Sequence, residues 1–217
     1  MTVTKKDTLH WILALVISAL GIALCTKSDL GRSMIAACPY ALHHKLVMSF
    51  DWFSQGTAEY VFEALLLILV CIVVKKFRLS WLLSFVTAIV AGFAIDGWLW
   101  VLGGNGAYAS LAMRIFAFVS GMCITSLGVA FFFRTKMPLE VYELAVTEIT
   151  EKYRLDIKKV KFGFDIFMLV TACAMGLIFE GRLVGIGIGT VIMTLCNSYI
   201  IAFCGKYIDK LEAKTNG

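Results

Sequence analysis

Charge is what this sequence has least of. Only 16% of its 217 residues are Asp, Glu, Lys or Arg, 60% are apolar, and the mean hydropathy is +0.85. A soluble domain of this size would have too little polar surface to cover such a core. Cysteine frameworks are missing too. The seven cysteines are scattered, their count is odd and no CxxC occurs, so neither a disulfide scaffold nor a metal site is indicated. A catalytic constellation is equally lacking. Cys38 and His43 are five residues apart with no third group to orient them. His43 and His44 are read as interfacial bystanders. Gly185-Ile-Gly-Ile-Gly-Thr190 has no phosphate-loop lysine. No enzyme activity and no cofactor are expected.

What is present is a series of long apolar runs, at about 10–26, 57–74, 79–102, 110–133, 160–179 and 183–204. About 20 apolar residues at ~1.5 Å each match the ~30 Å core of a bilayer. The first run, Trp11–Cys25, follows Lys5 and Lys6 as a signal peptide would. Five further runs follow, and Leu24 is a poor cleavage residue ahead of Cys25, so it is read as a retained first helix. Breakers lie between the runs: Lys75-Lys76-Phe77-Arg78, Gly103-Gly104-Asn105-Gly106 and Glu180-Gly181-Arg182.

Lysine and arginine set the orientation. With the N-terminus in the cytoplasm, fifteen of the twenty Lys and Arg fall inside. Four fall outside (Lys27, Arg32, Lys45 and Arg182), and Arg114 lies near the outer end of the fourth span. Both termini are therefore expected in the cytoplasm. The net charge of +5 reflects insertion and points to no nucleic-acid partner.

Two linkers exceed turn length. Residues 33–49 lie outside and are apolar enough to dip into the outer leaflet. Residues 138–153 lie inside. There Leu139, Tyr142, Val146, Ile149 and Tyr153 follow helical spacing, with Glu140, Glu143, Glu148 and Glu151 elsewhere on the helix. That pattern predicts an amphipathic helix with Pro138 in its first turn.

The two halves resemble each other. Ser18-Ala-Leu-Gly-Ile-Ala-Leu-Cys-Thr-Lys-Ser28 aligns with Thr125-Ser-Leu-Gly-Val-Ala-Phe-Phe-Phe-Arg-Thr135 at an offset of 107. Each half reads span, amphipathic segment, span, span. Three spans per half force the second half to be inverted. The expected fold is an all-α membrane protein of six transmembrane helices, arranged as two inverted three-helix repeats (1–106 and 107–217), each with an amphipathic or re-entrant segment.

The sequence also resembles the YczE/YyaS/YitT-type bacterial integral membrane proteins, with the YczE-like branch nearest. The resemblance runs from about residue 10 to about 205. Its residues are Gly21-Ile-Ala-Leu, Asp29-Leu-Gly31, Cys38-Pro-Tyr-Ala-Leu42, Gly56-Thr57 and Gly92-Phe-Ala-Ile-Asp96. In the second half they are Leu127-Gly-Val-Ala130, Lys161-Phe-Gly-Phe-Asp165 and Gly185-Ile-Gly-Ile-Gly-Thr190. Arg32 departs from the pattern, standing where a small residue is usual. The resemblance implies a six-helix protein of the bacterial plasma membrane, with transport or export as its suggested role.

Polar residues inside spans are expensive and are functional candidates by default. Glu59 and Glu63 in the second span align with Lys161 and Asp165 in the fifth at an offset of 102, and each pair is spaced i, i+4. Asp96 aligns with Asn197 at an offset of 101. Counting rises of ~1.5 Å puts Glu63 and Asp96 each ~9 Å from the outer ends of their spans. The count yields an outer layer of Glu59, Glu63 and Asp96, and an inner layer of Lys161, Asp165 and Asn197. Asp96 could equally bond a helix end, a serine or Arg114. Gly31, Gly56, Gly187 and Gly189 are candidate hinge or close-packing positions.

The expected activity is proton- or cation-linked movement of an unidentified small molecule through the lipid bilayer, with a homodimer as the expected assembly. The rival reading is a non-transporting accessory protein that scaffolds a membrane complex through the face around 138–161. A substrate-binding subunit of a larger importer is a third.

Overall fold

A computed structural model describes residues 4–50, 52–104 and 106–215, so Asn105 of the glycine-rich loop lies outside the described residues. Its long helices are α1 (Lys5–Ser28), α3 (Gln55–Val74), α4 (Leu82–Val101), α5 (Leu111–Phe132), α7 (Ile157–Glu180) and α8 (Ile188–Thr215). Two short helices, α2 (Met34–Leu46) and α6 (Val141–Tyr153), occupy the two long linkers. No strand occurs among the described residues. Among the described residues six helices, with the 3-10 turn Leu79–Trp81 leading into α4, are long and apolar enough to cross a membrane. Their outward faces carry Leu65, Ile68, Phe93, Trp100 and Ile178 exposed, as lipid-facing surfaces do.

Local chemistry moves several helix ends from where hydropathy puts them. α1 starts at Lys5, well before residue 10, because Thr4 and Asp7 form a reciprocal capping box. α6 starts at Val141 and excludes Pro138. The Pro138 carbonyl instead accepts hydrogen bonds from Trp11 Nε1 (2.9 Å) and Thr87 Oγ1 (3.1 Å), and Glu140 takes the extended N-cap conformation. α8 starts five residues later than the sixth apolar run. Residues 183–187 are held as loop: Gly185 has φ 71°, its carbonyl accepts from Arg32 N (3.0 Å), and Gly189 N donates to Leu30 O (2.9 Å). Downstream no breaker stops α8, and it continues to Thr215.

Two close helix approaches depend on glycine. α1 and α5 form the central pair. A Cβ on Gly21 would collide with the Thr125 hydroxyl, and one on Gly128 would lie 2.6 Å from Ser18 N. Gly121 faces Cys25 and the Gly21 carbonyl in the same seam. α3 and α4 meet at Gly56 and Gly92, where a Cβ on Gly56 would come 2.5 Å from the Gly92 carbonyl. Small residues let backbones approach where lipid supplies no hydrophobic drive. The candidate positions Gly31, Gly187 and Gly189 are also packing points, joining the 29–32 loop to the start of α8.

The largest core cluster is built by the short helices. Met34, Ala37 and Cys38 of α2 and Val141, Tyr142 and Ala145 of α6 pack with Phe62 and Leu66 of α3 and Met168 and Ala172 of α7. α2 lies against α7 and α3, and α6 against α3, α7 and α4. α6 is packed into the core over its first two turns, where Glu140, Glu143 and Glu148 are buried along with Val141, Tyr142, Ala145 and Val146. Glu148 is satisfied by Arg78 Nη1 and Trp81 Nε1, both at 3.0 Å.

Gly128→Ala is expected to destabilise the protein by about 3 kcal/mol through overpacking against Ser18. Gly97→Ala, whose Cβ meets nothing within 4 Å, is expected to stabilise by about 0.5–1 kcal/mol through helix propensity. Thermal unfolding of the detergent-purified protein reads both.

Candidate functional site: a buried carboxylate cluster

Three helices supply the cluster. α3 carries Glu59 and Glu63 one turn apart on its buried face. α6 opens with Glu140 and Glu143 at i, i+3, so both side chains leave the same end of the helix. α7 carries Lys161 and Asp165, again one turn apart. All six are buried, and Glu63 and Asp165 are 0% exposed.

Two polar contacts organise it. Val141 N, in the first turn of α6, donates to Glu63 Oε2 at 3.3 Å. A carboxylate facing a helix N-terminus meets free N–H groups and the positive end of the helix dipole. Lys161 Nζ donates to Asp165 Oδ1 at 2.8 Å, so Lys161 turns inward to its partner and does not reach for the interface. The charges of Lys161 and Asp165 act on Glu143 from α7.

A seventh residue, Arg32, closes the cluster from the α2 side. It is 7% exposed, donates to Thr26 Oγ1 (2.7 Å) and Gln55 Oε1 (3.0 Å), and lies 3.3 Å from the centroid of the Tyr40 ring. Gln55 lies one turn from Glu59 on α3, which sets the Arg32 guanidinium at the Glu59 end of the cluster. Arg32 is therefore a core residue. Lys27 is buried as well, donating to Gly104 O at 3.0 Å.

Five carboxyl groups share this interior with two cations. Full ionisation would leave three uncompensated negative charges in a low-dielectric setting, which proteins avoid by protonation. Hydrogen bonding is also incomplete. Glu59 Oε2, Glu63 Oε1, Glu143 Oε2 and Asp165 Oδ2 are buried without a partner, as is the Tyr142 hydroxyl. On α6, burial pushes Glu140 well above the usual carboxylate range, and the charges of Glu143 and Glu59 push further. Burial also raises Glu143, while Lys161 pulls it back. The set is suited to holding protons that several carboxylates share. A metal ion fits less well, because among the described residues no three His, Cys, Asp or Glu are placed to hold one.

The other two sequence candidates lie elsewhere. Asp96 accepts from Ser54 Oγ (2.7 Å) and Gly56 N (3.1 Å), so it caps the start of α3 from α4. Glu63 is seven residues further along α3, about 10 Å away. The two acids therefore do not form one outer layer. Depth counting failed because it measured each residue from the end of its own span, and the spans are staggered. Asn197 Oδ1 accepts from Ser126 Oγ at 2.7 Å, tying α8 to α5. Arg114 bonds the Ser28 and Asp29 carbonyls at the end of α1, leaving Asp96 to the α3 terminus. Cys38 Sγ donates to Met168 O, and His43 Nδ1 lies 2.7 Å from Phe53 O, so these two make no pair.

Glu140, Glu143 and Arg32 are the members that periodicity missed. Two acids at i, i+3 heading an otherwise apolar helix are a visible signal, as is an arginine displacing a small residue. Both signals need the tertiary position of α2 and α6 before they can be read.

The chain matches, over residues 5–206, a family described as of unknown function, DUF6198. It is 27% identical over 191 residues to the uncharacterized protein YyaS of Bacillus subtilis (strain 168), covering 87% of this chain and 86% of that one. No solved structure matches.

The raised carboxyls fix the sign of a pH dependence. Folding holds protons that the unfolded chain releases at ordinary carboxylate values, so stability falls as pH rises above that range. Glu140→Gln, which cannot ionise, is expected to flatten this fall and to be more stable than wild type at about pH 8. Melting temperatures across about pH 5–8 check it.

Proposed function

For this chain, which belongs to the DUF6198 family of unknown function, we propose proton-linked movement of a small molecule across the bacterial plasma membrane. The observation that carries this reading is the carboxylate cluster: buried acids in excess of buried cations, with unpartnered oxygens, among helices of both halves. Intramembrane ionisable groups of this kind mark ion pathways and proton relays.

The reading includes two inverted repeats, 1–106 and 107–217. Two observations support it. Exchanging α1–α4 with α5–α8 turns each helix contact into another that exists: α2 on α7 becomes α6 on α3, and α1 on α4 becomes α5 on α8. The central seam follows the same exchange. Gly21 packs on Thr125 and Gly128 packs on Ser18, which are equivalent at an offset of 107. Transporters built this way place their sites at the repeat interface, which is where Glu63 meets α6.

In this reading both termini are cytoplasmic, by the lysine and arginine bias. Glu59, Glu63, Glu140 and Glu143 exchange the proton, while Lys161–Asp165 and Arg32 balance the remaining charge. Asp96 and Asn197 hold helices together. Export is the direction that the resemblance favours, and a second copy is the expected partner. A scaffold docking through 138–161 would have only the stretch 151–159 exposed, because Glu140, Glu143 and Glu148 are turned into the core.

The test is flux in proteoliposomes with and without a pH gradient, using a substrate found by thermal-shift screening. Glu63→Gln is expected to bind substrate but to lose the response to the gradient. Asp96→Asn is expected to keep the response while losing about 1–2 kcal/mol of stability. A Glu63→Gln protein with wild-type pH dependence would contradict the reading.

A further inference from the structure

α7 and α8 touch only sparsely, whereas their counterparts α3 and α4 close on each other at Gly56 and Gly92. Two neighbouring cavities of about 230 and 250 Å³ lie along the looser seam and share Lys158, Ser198 and Ala202. Phe133, Ile157, Phe162 and Ile201 line them with apolar surface.

The cations around this groove differ in their commitments. Arg134 is held by Asp209 through two hydrogen bonds of 2.7 and 2.8 Å, and Lys161, which lines the first cavity with Ser198, is held by Asp165. Lys158 and Lys159 in the first turn of α7 and Lys206 on α8 are exposed and form no ion pair among the described residues. Asp156, the acid nearest to them in sequence, is engaged in capping α7 through the Lys158 and Lys159 backbone N–H groups. The Ser198 hydroxyl, lining both cavities, has no partner.

Unpaired lysines over an apolar slot match one kind of occupant. We propose that the α7–α8 groove binds an anionic phospholipid, with its phosphate at Lys158, Lys159 and Lys206. The start of an acyl chain lies between Phe133, Phe162 and Ile201. A free anion would use the lysines and gain nothing from the apolar walls. A zwitterionic lipid would use the walls, but its own cation would oppose the lysines. The groove is flanked by Tyr199 and Phe203, 78% and 72% exposed, which are surfaces that face lipid tails. The proposal is independent of proton coupling.

Native mass spectrometry of the full chain tests it, titrating with phosphatidylglycerol and with phosphatidylcholine of the same acyl composition. Wild type is expected to retain phosphatidylglycerol preferentially. A lysine beside an anionic headgroup contributes about fivefold, so Lys158→Gln with Lys206→Gln is expected to cut that preference by about tenfold or more. Lys75→Gln with Lys76→Gln removes the same charge away from the groove and is expected to leave the preference intact. Ala202→Phe keeps every charge, fills the slot and is expected to weaken retention as well. Equal retention of the two lipids by wild type would overturn the proposal. So would an equal loss from the Lys75 and Lys76 changes, or displacement of the lipid by inorganic phosphate as readily as by a short-chain phosphatidylglycerol.

Discussion

The structure is organised around a mismatch: more buried carboxylates than buried cations. Glu59, Glu63, Glu140, Glu143 and Asp165 share an interior with Lys161 and Arg32. Such a set is tolerable only where helix termini, paired cations and retained protons offset the cost of desolvation. The contact that brings it together is Val141 N on Glu63, which draws the start of α6 against α3. Much else serves that placement. Trp11 and Thr87 grip the Pro138 carbonyl just ahead of α6, and Arg78 and Trp81 hold Glu148 two turns along it. The glycine seam between α1 and α5 provides the closely packed base from which the other helices diverge.

α3 and α7 differ in chemistry. At positions that align in sequence at an offset of 102, α3 carries two acids, while α7 carries a lysine and an acid. Lys161 and Asp165 form an ion pair within one turn; Glu59 and Glu63 cannot, and Glu63 instead accepts from the first turn of α6. The asymmetry extends to the seams, since α3 and α4 close where α7 and α8 leave a groove.

Much of this was legible in the sequence. Span number and order follow from bilayer thickness, and the i, i+4 acids of the second span were visible as an anomaly. What was not legible has physical causes. Periodicity reports which residues share a face but not what covers that face. The sequence shows Glu140, Glu143 and Glu148 as the polar side of an amphipathic helix, but not that α6 is wedged between α3 and α7 with those acids buried. Rise per residue gives depth along one helix only, so it grouped Asp96 with Glu63 although Asp96 caps the first turn of α3. A count of lysines and arginines assigns Arg32 a side of the membrane but cannot register the Tyr40 ring and the Gln55 amide that enclose it.

The central claim is that these carboxylates hold and exchange protons inside the bilayer. Infrared difference spectroscopy of the reconstituted protein, stepped between about pH 5 and about pH 8, reads the carbonyl stretch of protonated carboxyl groups directly. The account predicts a carboxylic-acid band that persists well above the ordinary carboxylate range and is diminished in Glu63→Gln. A spectrum without such a band, or one unchanged in that variant, would contradict it.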